Sequence, residues 1–118
     1  MSNKLLIFIG PDQAFDIGIV DHIIGSLSGC AITQLGAGIG AVQQYLIAQG
    51  SDEHIVRISS DMETVTIDGP VGYQAAVLAL SLQAGLSLPI RITDMGYNYD
   101  LPIGEFASAE ALLSAMSS

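Results

Sequence analysis

The chain has 118 residues, half of them hydrophobic, which is enough to fill one core and too apolar for a disordered chain. Twelve acids against three Lys and Arg give a formal charge of −9, a balance that repels phosphate backbones and anionic headgroups and so argues against nucleic acid and membrane as partners. Only 13% of residues are charged, so Ser, Thr, Gln, Gly and exposed aliphatics must make up much of the surface.

Leu5 to Ile9 is a continuous apolar run, the pattern of a central strand covered on both faces, and Gly10-Pro11 ends it. The run is too short for a secretory signal or a membrane span, so the expected location is cytoplasmic. Asp12 is placed to cap a helix in which Ile17, Val20, Ile23, Ile24 and Leu27 recur at helical spacing, with Ser28-Gly29 closing it. Cys30 to Leu35 reads as a short strand. The lone Cys30 cannot form an internal disulfide and reads as a small buried hydrophobe.

Gly36, Gly38 and Ala41 match the G-x-G-x-x-A pattern of a phosphate-binding turn, and Val42, Tyr45, Leu46 and Ile47 suggest a following helix over 41–48, stopped by Gly50. Ile55 to Asp68 then alternates cleanly. Val56, Ile58, Val65 and Ile67 fall on one face, and Ile55, Arg57, Ser59, Thr64, Thr66 and Asp68 on the other, with Ser60 to Glu63 as a four-residue loop. That is a hairpin with one buried face. The fingerprint fits poorly beside it, because the strand carrying Asp61 turns straight back instead of entering a second crossover helix.

Gly69-Pro70-Val71-Gly72 breaks the chain before an almost wholly apolar helix, Tyr73 to Ala84, which must be well buried. Leu88 to Thr93 reads as a strand with Ile90 and Ile92 inward and Arg91 and Thr93 outward. Met95 to Ile103 reads as an edge ribbon carrying Tyr97 and Tyr99, and Ser108 as the cap of a last helix in which Ala111, Leu112, Ala115 and Met116 pack. The sum is a single α/β domain over 1–118, with a mixed sheet of about five strands and about four helices.

No motif specifies a reaction. His22 and His54 have no spacing that joins them to an acid or nucleophile and read as surface or capping residues. No Cys or His pattern and no alternating acid run suits a metal, so neither metal nor cofactor is expected. The acids, including Asp61 and Glu63, form a field that steers a basic protein. Tyr97 and Tyr99, flanked by Asp94 and Asp100, have the character of interface anchors. An alternative is a small α/β ligand-binding or enzymatic domain that holds an anionic metabolite or nucleotide at the Gly36 to Ala41 turn with help from Arg57 and Arg91. A third is a homo-oligomer, suggested by the low charge density and apolar helices.

From Arg91 to Met116, R-I-T-D-M-G-Y-N-Y-D-L-P-I-G-E-F-A-S-A-E-A-L-L-S-A-M, the order of strand, aromatic-acidic ribbon and Ser-capped helix resembles the C-terminal end of small acidic immunity proteins of bacterial polymorphic-toxin and contact-dependent growth inhibition systems. The resemblance implies a non-enzymatic, cytoplasmic bacterial protein that binds and neutralises one cognate toxin. It lends a partner-binding role to Asp94, Tyr97, Tyr99 and Asp100 through their acidic and tyrosyl character alone.

Overall fold

The computed structural model describes residues 4–117. The elements run β1 (Lys4–Ile9), α1 (Ile17–Gly25), β2 (Ala31–Gln34), β3 (Ala41–Gln49), β4 (Asp52–Ser59), β5 (Thr64–Asp68), α2 (Tyr73–Gly85), β6 (Ile90–Asp94), β7 (Asp100–Pro102), a single 3-10 turn (Ile103–Glu105) and α3 (Ala109–Ser117). The strands form one seven-stranded sheet in the order β2-β3-β4-β5-β1-β6-β7, and every neighbouring pair is antiparallel. Among the described residues the expected mixed sheet of about five strands is therefore an antiparallel sheet of seven, and three α-helices replace the expected four. β5 and β6 flank β1 and run parallel to each other, so the chain leaves β5, passes through α2 and returns on the far side of β1.

The hairpin is as its alternation predicts. Val56, Ile58, Val65 and Ile67 are buried, the opposite residues are half-buried, and the chain turns through the four residues Ser60 to Glu63. The register carries this face across the sheet, pairing Val56 with Ile67 and Ile67 with Leu5, and Ile7 with Ile92. Onto it pack Val20, Ile23 and Ile24 of α1, Ala76, Leu78 and Leu82 of α2, and Leu112 and Met116 of α3. α2 lies between α1 and α3, which explains why its sequence leaves so little polar surface.

Among the described residues no helix covers the other face of the sheet. β1 accordingly alternates, with Leu5, Ile7 and Ile9 buried and Leu6 and Phe8 only half-buried, so the expected burial on both faces is corrected to burial on one. All crossovers lie on one side, and an antiparallel sheet tolerates an open face where a parallel one does not.

The largest correction falls on 41–48, which is strand β3 and not a helix. A bulge at Val42 shifts the pairing with β4 and breaks the period of two, and this leaves Val42, Tyr45 and Leu46 at the i, i+3, i+4 spacing of a helix. Beyond the bulge Tyr45 and Ile47 alternate inward as strand residues should. The glycine segment therefore joins two strands and has no helix N-terminus to offer a phosphate. Gly50 turns β3 into β4, and Gly29 follows α1 by several residues; Asp16, not Asp12, caps α1 by accepting from the Ile19 amide at 3.1 Å. Ser108 caps α3 as expected, accepting from the Ala111 amide at 3.1 Å, and Leu112 and Met116 pack beneath it while Ala111 stays exposed.

Buried Tyr45 donates its hydroxyl to Asp21 at 3.1 Å. Burial first, then that bond and the carboxylate's charge, push the phenol up from 10.0 to about 12. As pH rises from 10 towards 12 the unfolded chain gives up this proton while the folded chain keeps it, so stability is whole below that window and falls within it. Tyr45→Phe is expected to flatten the decline in melting temperature over that range, measured by circular dichroism.

Candidate functional site

The strand registers place both candidate arginines on the open face of the sheet, Arg57 on β4 and Arg91 on β6, and both are taken up by the chain's own acids. Arg57 bonds Asp68 at 3.3 Å and donates Nε to Gln44 at 3.0 Å. Arg91 meets the Asp100 carboxylate at 2.6 Å and donates to its backbone carbonyl at 3.1 Å. The polar groups beside them are equally occupied: Ser59 donates to Asp61 at 2.6 Å, and the Thr93 hydroxyl donates to the Tyr99 carbonyl. Thr93 is thus buried despite its outward register, because the β6–β7 ribbon folds over it. An anionic metabolite would have to displace two ion pairs to use this face.

The six residues expected to bind a partner separate into two groups. Thr64 pairs with Phe8 near the C-terminal end of β1, which puts the Ser60 to Glu63 loop at that end of the sheet; Asp94 pairs with Leu5, which puts the β6–β7 turn at the other. Asp61 and Glu63 therefore stand a strand's length away from Asp94, Tyr97, Tyr99 and Asp100.

Each group has its own local chemistry. Asp61 accepts from the Ser59 hydroxyl and from the Glu63 amide at 3.0 Å, and these bonds, the hydroxyl first, hold its carboxyl below the ordinary range. The Phe15 amide donates to the Met62 carbonyl at 2.7 Å and ties the β1–α1 loop to this turn. Asp61 is a turn-former here.

At the other end Asp94 acts as a clasp. One carboxylate oxygen accepts the Asn98 amide and the other the Asn98 side chain, both at 2.8 Å, while the Tyr97 amide donates to the Asp94 carbonyl at 3.2 Å. Those contacts, the Asn98 side chain first, hold the Asp94 carboxyl below its ordinary value, so the clasp is intact above the usual carboxylate range and opens as pH falls through the lowered one. Tyr97 is thereby fixed at φ 54°, the left-handed region that costs an aromatic residue free energy, and the residue is 68% exposed. Met95 beside it is also exposed. Tyr99 turns the other way and packs on the core, where burial and then the Asp94 charge raise its phenol.

The β5–α2 loop reaches the same end, because Asp68 pairs with Lys4. Exposed Val71 of this loop and Tyr73 at the start of α2 add to this surface, whereas the large hydrophobics exposed by the loops at the far end, Leu35, Ile39 and Leu88, are aliphatic. The exposed tyrosines are thus gathered at one end among Asp94, Asp100, Asp52 and Glu53. Sequence reading marked Tyr97 but not the Asp94–Asn98 clasp, whose signal is an Asp followed four residues later by an Asn across a glycine. It also missed His54. The expected surface or capping histidine is 4% exposed and lies on the helix-covered side of β4.

No protein-family model matches the chain, and no curated protein matches it. The functional assignment therefore rests on geometry. No group of three or more His, Cys, Asp or Glu among the described residues could hold a metal ion. No helix among them is long and apolar enough to cross a membrane.

Proposed function

We propose that this chain is a non-enzymatic, acidic protein-binding module that docks a basic partner through the end of the sheet bearing Asp94, Tyr97 and Asp100, and that it serves as an immunity-type inhibitor of a cognate bacterial toxin. The observation that carries this reading is Tyr97, an aromatic side chain held out in a strained backbone conformation by a two-bond clasp. Strain of this kind costs about 1 to 3 kcal/mol and persists where the surroundings over-determine it, which is common at binding sites. A pre-organised tyrosine loses little entropy on docking and is the kind of residue that dominates interface energetics.

Charge gives the partner its sign. With two of the three Lys and Arg already paired to acids of the chain, the net −9 stands unopposed and attracts a cationic surface at long range. Binding to the cognate toxin is expected at micromolar concentration or tighter, with an association rate that falls steeply as salt is raised. An absence of binding at that concentration, or a rate indifferent to salt, sinks the reading. Cytoplasmic action belongs to the same proposal, since an inhibitor of this kind meets its toxin where the toxin would act.

A further inference from the structure

Between the end of α1, the start of α2 and the β3–β4 hairpin lies a cavity of about 300 Å³. Cys30, Ile47, Gln49, His54, Gln74 and Val77 contribute to its lining, and neither a carboxylate nor a Lys or Arg side chain is among the described residues that line it. In a chain so acidic, an uncharged cavity is a selective feature. A charged guest would lose its hydration there with no ion to meet it.

His54 gives the cavity a direction. Its Nε2 lies 2.8 Å from the Pro70 carbonyl, which can only accept, so Nε2 carries the hydrogen and the neutral ring presents Nδ1 as an acceptor. Gly69 presses on the same ring: a side chain there would come within 2.6 Å of the Glu53 carbonyl and 2.8 Å of His54 Cδ2, so the loop fixes the imidazole from behind. Nδ1 has no partner among the described residues, yet none of their buried side-chain nitrogen or oxygen atoms lacks one. With His54 itself 96% buried and part of the cavity wall, this acceptor belongs to the lining of the cavity. Gln49 supplies the complement. Its carbonyl oxygen lies 3.4 Å from the Cys30 thiol, whose hydrogen it shares with the Ser28 carbonyl at 3.6 Å, and its amide N–H groups are donors.

We propose that this cavity binds a small uncharged molecule carrying an N–H donor beside a carbonyl acceptor, of the cyclic-amide kind, with the donor to His54 Nδ1 and the acceptor to the Gln49 amide. The volume lies at the lower end of small-molecule sites, which restricts the guest to roughly one ring. The site is separate from the Tyr97 turn and does not depend on the docking role proposed for that turn.

Uracil, with 1,3-dimethyluracil as the counterpart lacking N–H donors, is the probe, and the readout is the ¹⁵N resonances of the His54 ring in the full chain. Uracil is expected to move the Nδ1 signal and saturate at about millimolar concentration, as suits so small a ligand. Dimethyluracil should leave it in place. Ser81→Leu, which fills the cavity from α2 and leaves His54 in the chain, should abolish the titration while the ring keeps its Nε2–H form, a sign that the fold is intact. His54→Phe, followed instead by the side-chain amide signals of Gln49, should weaken binding about tenfold through the lost acceptor. Tyr97→Ala should titrate as the parent does. An Nδ1 signal unmoved at about ten times the expected concentration overturns the proposal, and so does an equal response to dimethyluracil or an undiminished titration in Ser81→Leu.

Discussion

Ile7→Ala should destabilise the protein by about 3 to 4 kcal/mol, and the same truncation one residue earlier, at Leu6, by only about 1 kcal/mol. Ile7 is fully buried beneath the helices, paired with Val65 on one side and Ile92 on the other, so its loss leaves a void that the surrounding Ile and Leu side chains cannot close. Leu6 sits on the open face between Thr66 and Thr93, already in partial contact with water, and its truncation forfeits area without opening a cavity. Urea denaturation of the two variants measures the difference. Similar costs at both positions would mean that the open face is covered in solution by another copy, the oligomeric alternative raised by the low charge density, and light scattering would then show the larger species.

Tyr97→Ala should weaken docking of the basic partner by about 2 kcal/mol, roughly thirtyfold, while leaving the fold's stability almost unchanged. The ring is exposed, so the free protein loses little with it, whereas a partner would lose its anchor. Tyr97→Gly separates the two roles further. Glycine accepts the left-handed backbone at φ 54° without strain, so this variant should gain up to about 1 kcal/mol of stability while losing the same binding. Asn98→Ala should weaken docking by less, because the anchor remains and only its pre-organisation is lost. Asp61→Asn at the far end of the sheet should leave docking intact. Calorimetric titration against the partner and thermal melts of the free variants measure both quantities, and a Tyr97→Ala variant that binds as tightly as the parent would remove the turn from the interface.

The sequence by itself determined the hairpin, the burial of α2, the Ser108 cap and the acidic field, because each follows from contacts or charges local in the chain. Alternation over Ile55 to Asp68 needs only a two-stranded register to express it, and the apolar run of α2 has no polar face to turn to water. Only the tertiary structure decided that 41–48 is a strand, since a bulge disguised its period and pairing with β4 settled it. Only the register could show that β1 has one covered face and that Asp61 lies far from Tyr97. The same holds for His54: its period-two position is visible in the chain, but what closes over it comes from α2 and the Gly69-Pro70 loop. Local pattern fixes which residues share a face; it carries no information on which distant segment will cover that face, because that depends on loop closure and packing between segments far apart in the chain.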